Sequence, residues 1–251
     1  MSDTITIIGK SKVGLSLAKA LGARAGRVIA ARRETYPAID ADILLIASRD
    51  DHVAEVAQKA VAVASNRLKL ILQVAGSLPP SVLPERAGVS RLTLHPIQTF
   101  PKPSAASFDG IYWMACSEDP NAISWARKFV KSLGGRGVIV LPPESLPLYH
   151  ALTVFSANFV TLLGGAIEEM SVALGQNPKM MKAAVQPLME KVLRNVLTNQ
   201  AKDVLTGPIK RGDLATIRKH QKALMSLDPK LRKLYDAFWE FANSVILSSP
   251  E

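Results

Sequence analysis

ITIIGKSKVGLSLAKAL, residues 5–21, runs from four β-branched residues through a short turn into a segment whose apolar residues recur at helical spacing. The β-branched run favours an extended strand, and Val13, Leu17 and Leu21, four apart, give the following helix a buried face. Gly9 permits a sharp exit from the strand, and Gly14 lets helix and strand pack closely. The helix then aims its unpaired N–H groups and positive dipole end at the turn, a ready site for phosphate. Gly9, Lys10, Ser11, Lys12, Val13 and Gly14 are therefore expected to hold the pyrophosphate of a dinucleotide. Ser11 stands where the middle glycine of G-x-G-x-x-G would be, so either its hydroxyl joins the phosphate contact or the cofactor sits slightly displaced. The plainer alternative is a strand-to-helix turn without a ligand.

Working outward, a second apolar run, residues 28–31, ends in Arg32-Arg33. Dinucleotide sites that take NAD usually carry an acid there, which accepts from the ribose hydroxyls and repels a 2′-phosphate. The sequence shows no acid at that strand end. Arg32 and Arg33 offer planar, permanently charged donors, and the expected cofactor is NADP in preference to NAD; a solvated basic turn is the alternative. Ser48, after the run ILLIA at residues 43–47, is expected to face the same crevice, beyond the carboxyl end of a parallel strand.

Further apolar runs follow at residues 68–74, 90–94, 111–116 and 137–141, with helical patterns over residues 51–65 and 120–133 and a helix start at Pro79-Pro80. Strands that alternate with helices imply a mostly parallel, doubly wound sheet. The link from Arg33 to Asp42 is too short for a crossover helix and carries Pro37, so it is read as a loop. After Pro142-Pro143 only helical periodicity remains. The expected fold is α/β, a Rossmann-like domain over residues 1–143 followed by an all-helical domain over residues 144–251.

At 251 residues the chain has room for two cores. A formal charge of +10 is compatible with anionic small molecules, nucleic acid or an anionic membrane. The basic residues of the last third are spread along helices and not interleaved with aromatics, which favours solvated helix faces over a nucleic-acid groove. The single cysteine, Cys116, excludes an intramolecular disulfide and a cysteine-rich metal site, and a cytoplasmic protein is expected. The most apolar stretch, residues 152–167, contains Asn158 and is flanked by His150 and Glu168, so no membrane span is expected. His52, His95, His150 and His220 have no metal-ligand spacing, and there is neither a G-x-S-x-G elbow nor a Walker lysine.

LTLHPIQTF (92–100), YHALTVFSANFV (149–160), PLMEKVLRNVL (187–197) and LTGPIKRGDLATIRKHQKAL (205–224) occur in an order that resembles the bacterial proteins combining a Rossmann-like domain with a DUF2520 domain. Their architecture is similar to pyrroline-5-carboxylate reductase and 6-phosphogluconate dehydrogenase-like enzymes. The resemblance spans nearly the whole chain and implies an NADP-linked oxidoreductase whose helical domain dimerises. Two departures are Ser11 and the segment SRDD at residues 48–51, where related chains usually close the strand in Pro-Asp.

His150 and Asn158, eight residues apart, fall on one side of an uninterrupted α-helix. The resemblance implies His150 as general acid and Asn158 as the group orienting a carbonyl or imine; a buried pair joining helices is the alternative. In TGPIKRGD, Gly207-Pro208 and Gly212 shape a turn and Asp213 is placed to cap the next helix, leaving Thr206, Lys210 and Arg211 displayed on a loop for a substrate carboxylate or phosphate. His95 follows a strand and either reaches the crevice or pins its own loop. These groups are expected to converge on one pocket, with the 206–211 loop contributed in cis or by a second subunit. The reading is an oxidoreductase moving a hydride between NADP(H) and a small anionic carbonyl or imine compound, as a homodimer. The rival is a non-catalytic NADP-binding or scaffold protein that dimerises through its helical domain.

Overall fold

The computed structural model describes residues 3–31 and 34–247, apart from the Ser107 side chain. Its packing divides the chain into two compact units, Met1–Ala157 and Asn158–Glu251.

In the first unit, strands β1 (Ile5–Ile8), β2 (Ala25–Ile29), β3 (Ile43–Ile46), β4 (Leu70–Gln73), β5 (Ser90–Pro96), β6 (Tyr112–Cys116) and β7 (Gly137–Val140) form one sheet in the order β2-β1-β3-β4-β5-β6-β7. The first five are parallel, as the alternation of strands and helices predicts. β1, β3 and β4 are buried along their whole length, which is why they read as unbroken apolar runs. Ile5, Ile7, Leu45 and Leu72 point toward helices α1 (Lys12–Leu21) and α3 (Pro120–Ser132) and pack with Leu17, Trp113 and Phe129. Ile8, Leu44, Ile46 and Ile71 point to the opposite face, toward Val53, Val56 and Ala60 of α2 (Val53–Ala62).

Three details differ from the sequence expectation. β2 ends at Ile29 and not at Ala31. Pro80 opens only a single 3-10 turn, Pro80–Val82. β6 runs antiparallel to β5, because the connection between them holds a 3-10 turn, Ala105–Phe108, and not the helix that a parallel return requires. β7, reached through α3, is parallel to β6.

Beyond β7, α4 (Leu146–Val154) still belongs to the first unit: Leu146 and Tyr149 bury against Met114 and Cys116 of β6. The strand pattern thus stops at Pro142-Pro143, while the packing of the first unit continues to Ala157.

The second unit contains α5 (Val160–Ala173), α6 (Pro178–Thr198), α7 (Ala201–Val204), α8 (Gly207–Arg211), α9 (Leu214–Leu227) and α10 (Pro229–Phe241). α5 packs on α6, and α9 on α10. Asn177, Asp213 and Asp228 cap α6, α9 and α10 by accepting backbone N–H bonds, the expected work of Asn and Asp at these positions. Among its described residues only Ser171, Ile217 and Ala242 are buried, while Leu162, Val172, Leu188 and Phe241 are exposed. The helical run Pro143–Ala173 contains an 18-residue window with a mean hydropathy of 1.4 and is, by length and composition alone, long and apolar enough to cross a membrane. Asn158 interrupts the apolar run without interrupting the helix.

Candidate functional site

The turn after β1 is built around two close approaches. Gly9 has φ +124°, and a Cβ there would lie 2.2 Å from the Ala47 carbonyl oxygen. At Gly14 a Cβ would lie 2.8 Å from both Ala47 Cβ and the Gly9 oxygen. Both positions therefore require glycine, one for backbone conformation and contact, the other for the approach of α1 to the sheet. Ser11, extended at φ −63° and ψ 163°, is the N-cap of α1: the Gly14 N–H donates to its Oγ at 3.1 Å. The hydroxyl thus replaces one phosphate-like contact within the chain and leaves the N–H groups of Lys12 and Val13, which have no intrahelical partner, at the mouth of the turn.

In front of this turn lies a cavity of about 800 Å³ at the carboxyl ends of β1, β2 and β3, where the strand order reverses direction. Gly9, Lys10, Ser11 and Ser48 line it, whereas Lys12, Val13 and Gly14 stand behind the turn in α1. Arg32 and Arg33 lie outside the described residues. Glu34 lines the same wall beside Ala30 and Ala31, which corrects the expectation of no acid here. The reason is the earlier end of β2, after which Ala30, Ala31 and Glu34 border the cavity. Arg49 and His52, which precede α2, and Glu55, Val56 and Lys59 of α2 complete the wall. Lys59 Nζ donates to Glu55 Oε1 at 2.6 Å; this hydrogen bond holds the Glu55 carboxyl below and the Lys59 ammonium above their ordinary values.

The ends of β3, β4 and β5 are tied together by polar groups the sequence reading did not single out. Gln73, fully buried, donates to Thr93 Oγ1 at 2.8 Å and to the Leu78 oxygen at 2.9 Å, and Ser77 Oγ donates to Asp50 Oδ2 at 2.9 Å. This fixes the loop after β4, in which Gly76 faces the ring of His95; a Cβ there would lie 2.9 Å from His95 Cγ. The imidazole in turn meets Tyr149 of α4, with 2.7 Å between Nδ1 and the phenolic oxygen, and lies edge-on to His150 with ring centroids 6.5 Å apart. Burial, then the neighbouring His150, push the His95 imidazole down to about 4, with Asp50 acting in the opposite direction. Two of the expected residues, His95 and His150, thus come together. Tyr149 was not anticipated: nothing in a single sequence tells which of two consecutive residues on an apolar helix turns toward the sheet.

Asn158 is exposed and lies in a π-helical segment, Phe155–Phe159. The i→i+5 bonding of that segment removes the uninterrupted α-helical spacing on which the shared face with His150 was argued. The expected TGPIKRGD loop is instead the single-turn helix α8, closed by Gly212 in the left-handed conformation at φ 62°. Thr206 and Arg211 are exposed, Lys210 Nζ donates to the Lys202 oxygen at 3.1 Å, and Asp213 accepts from the Thr216 N–H at 3.1 Å.

The family model described as Domain of unknown function (DUF2520) matches residues 111–240, just over half of the chain. Among solved structures, that of NADP oxidoreductase BF3122 from Bacteroides fragilis, a provisional designation, is similar with a TM-score of 0.79 at 21% identity, over 95% of this chain and 97% of that one. Protein TM1727 from Thermotoga maritima gives 0.70 at 20% identity, over 98% and 99% of the two chains. Plasmodium falciparum pyrroline carboxylate reductase, solved with NADP bound, gives 0.61 at 15% identity, over 94% and 98%. No curated protein sequence matches the chain. At these identities the structural likenesses establish a shared fold.

Proposed function

Because the chain belongs to the DUF2520 family, we propose that it is an NADP(H)-dependent oxidoreductase acting on a small carbonyl or imine compound that carries an anionic group. The observation that carries this reading is the turn at residues 9–11, which lines a cavity of about 800 Å³ in front of the α1 N-terminus, with Gly9 letting the Ala47 carbonyl approach closely. That volume falls within the range of roughly 300–1,000 Å³ usual for ligand pockets. The nicotinamide cofactors named for two of the similar structures support it.

Bound there, the dinucleotide supplies or accepts the hydride. The chain's own groups bind and orient: the N–H groups at the start of α1, with Gly9, Lys10 and Ser11, hold the pyrophosphate; Ser48 borders the crevice beyond β3; Arg32 and Arg33 hold the 2′-phosphate. In the first unit His150 is the general acid and His95 holds a polar part of the substrate; in the helical unit Asn158, Thr206, Lys210 and Arg211 supply polar and cationic groups suited to a carbonyl or an anion. Glu34 favours a second reading for the cofactor, NAD(H), since a carboxylate on that wall accepts from ribose hydroxyls and repels a 2′-phosphate.

The exposed apolar residues of α5 and α6 support a homodimer through the helical unit, with the run Pro143–Ala173 covered by protein and not by lipid; we propose the cytoplasm as its compartment. The proposal is tested by thermal shifts with NADPH and NADH at equal concentration, followed by a panel of cyclic imines and 2-oxo acids scored by NADPH oxidation. A larger shift with NADPH and turnover on one class are expected. Absence of any shift with either nucleotide would sink the oxidoreductase reading.

A further inference from the structure

The imidazole of His95 is held on three sides. It stands on β5 in register with Met114 of β6, and α4 docks on that same Met114 through Leu146 and Tyr149. This brings the phenol to the imidazole, 2.7 Å between Tyr149 Oη and His95 Nδ1, with the rings edge-on at 83° and 5.7 Å between centroids. Gly76 closes the second side so tightly that a Cβ would come within 3.0 Å of Nδ1, and His150 closes the third.

The direction of the hydrogen bond follows from counting partners. Tyr149 is 8% exposed, and among the described residues its phenolic proton has no acceptor other than His95. Burial pushes the phenol well above its ordinary value, so it keeps that proton and donates it to Nδ1. A neutral imidazole that accepts at Nδ1 carries its own proton on Nε2, and Nε2 has no hydrogen-bond partner among the described residues.

We infer that Tyr149 is a positioning residue that holds His95 as the Nε2–H tautomer, so that this imidazole offers bound substrate a neutral hydrogen-bond donor. The groups that face the ring are Tyr149 and His150 from α4, and Asp50 from the loop after β3; burial and His150 oppose its protonation and Asp50 favours it. At neutral pH His95 is therefore a donor, and the acid role falls to His150. Only the identity of what His95 donates to rests on the oxidoreductase reading.

The test is imidazole 1H–15N NMR of the full-length protein, with each histidine assigned by substitution. The wild type should show His95 as the Nε2–H tautomer, uncharged from pH 8 down to about 4. Tyr149→Phe, which keeps the ring and its packing, should give mixed tautomers while the ring stays uncharged at neutral pH, since burial and His150 still oppose its protonation. A wild-type ring protonated on Nδ1, or a tautomer unchanged in Tyr149→Phe, overturns the inference even if the enzyme turns over. On the best substrate of the panel, Tyr149→Phe should lower kcat/KM about fivefold, the size of one neutral hydrogen bond. His95→Gln, whose amide keeps an N–H donor, should retain more turnover than His95→Leu; equal losses overturn the donor role. Failure of the oxidoreductase reading would show separately, as lack of nucleotide binding with the tautomer result intact.

Discussion

Replacing Ser11 separates the two tasks its hydroxyl could perform. In the structure the Gly14 N–H donates to Ser11 Oγ at 3.1 Å, and Ser11 is the extended N-cap residue of α1. Ser11→Ala removes that acceptor and leaves one helix N–H unpaired, at a cost of about 1 kcal/mol. For a chain of this size that corresponds to a melting point lower by about 2–4 °C. Ser11→Gly loses the same hydroxyl, yet a glycine N-cap costs only a few tenths of a kcal/mol, since water reaches the freed N–H. It also restores the middle glycine of the dinucleotide fingerprint. The assay is scanning calorimetry of the three proteins, with isothermal titration of NADPH into each. Both variants should bind NADPH within about threefold of the wild type, because a lost direct hydrogen bond would remove about 1 kcal/mol, or fivefold. A melting point of Ser11→Ala equal to that of the wild type would refute the capping account. A tenfold loss of NADPH affinity in Ser11→Gly would make the hydroxyl a phosphate ligand and not a cap.

Glu34→Gln removes a carboxylate from the cavity wall and should raise the NADPH-to-NADH affinity ratio by roughly three- to tenfold in dilute buffer, less at high salt; an unchanged ratio would place the 2′-phosphate elsewhere. The wild type should be a dimer by light scattering at micromolar concentration without detergent, and Leu162→Glu, at a position 65% exposed on α5, should shift it to monomer; a wild-type monomer removes the dimer proposal. Because the folded-state value of His95 lies near 4, below its ordinary 6.5, the unfolded chain binds the extra proton between those values. The stability contribution of the neutral ring is thus present above about pH 6.5 and is lost as the pH falls toward 4, at up to about 1.4 kcal/mol per pH unit. Urea midpoints at pH 7 and pH 5 should show this slope in the wild type and a shallower one in His95→Gln; equal slopes would contradict the buried neutral ring.

What the chain determines by itself is local. The β1–turn–α1 unit, the alternation of strands and helices up to residue 141, the helical second half and the cap at Asp213 are legible because each depends on neighbours a few residues apart: β-branching, helical spacing, glycine conformation, side chains reaching the next turn. The features that only the tertiary structure decides join residues far apart in sequence. β6 could pair in either direction until the link before it was seen to lack a helix. Glu34 joins the cavity wall because β2 stops two residues short of its apolar run. Tyr149, 54 residues from His95, meets it because α4 buries Leu146 and Tyr149 on β6, while Gly76 leaves room for the ring. Such contacts are set by which of several nearly equivalent apolar surfaces pack together, and burial energy, which is roughly proportional to area and has no direction, carries no mark of its partner in the sequence.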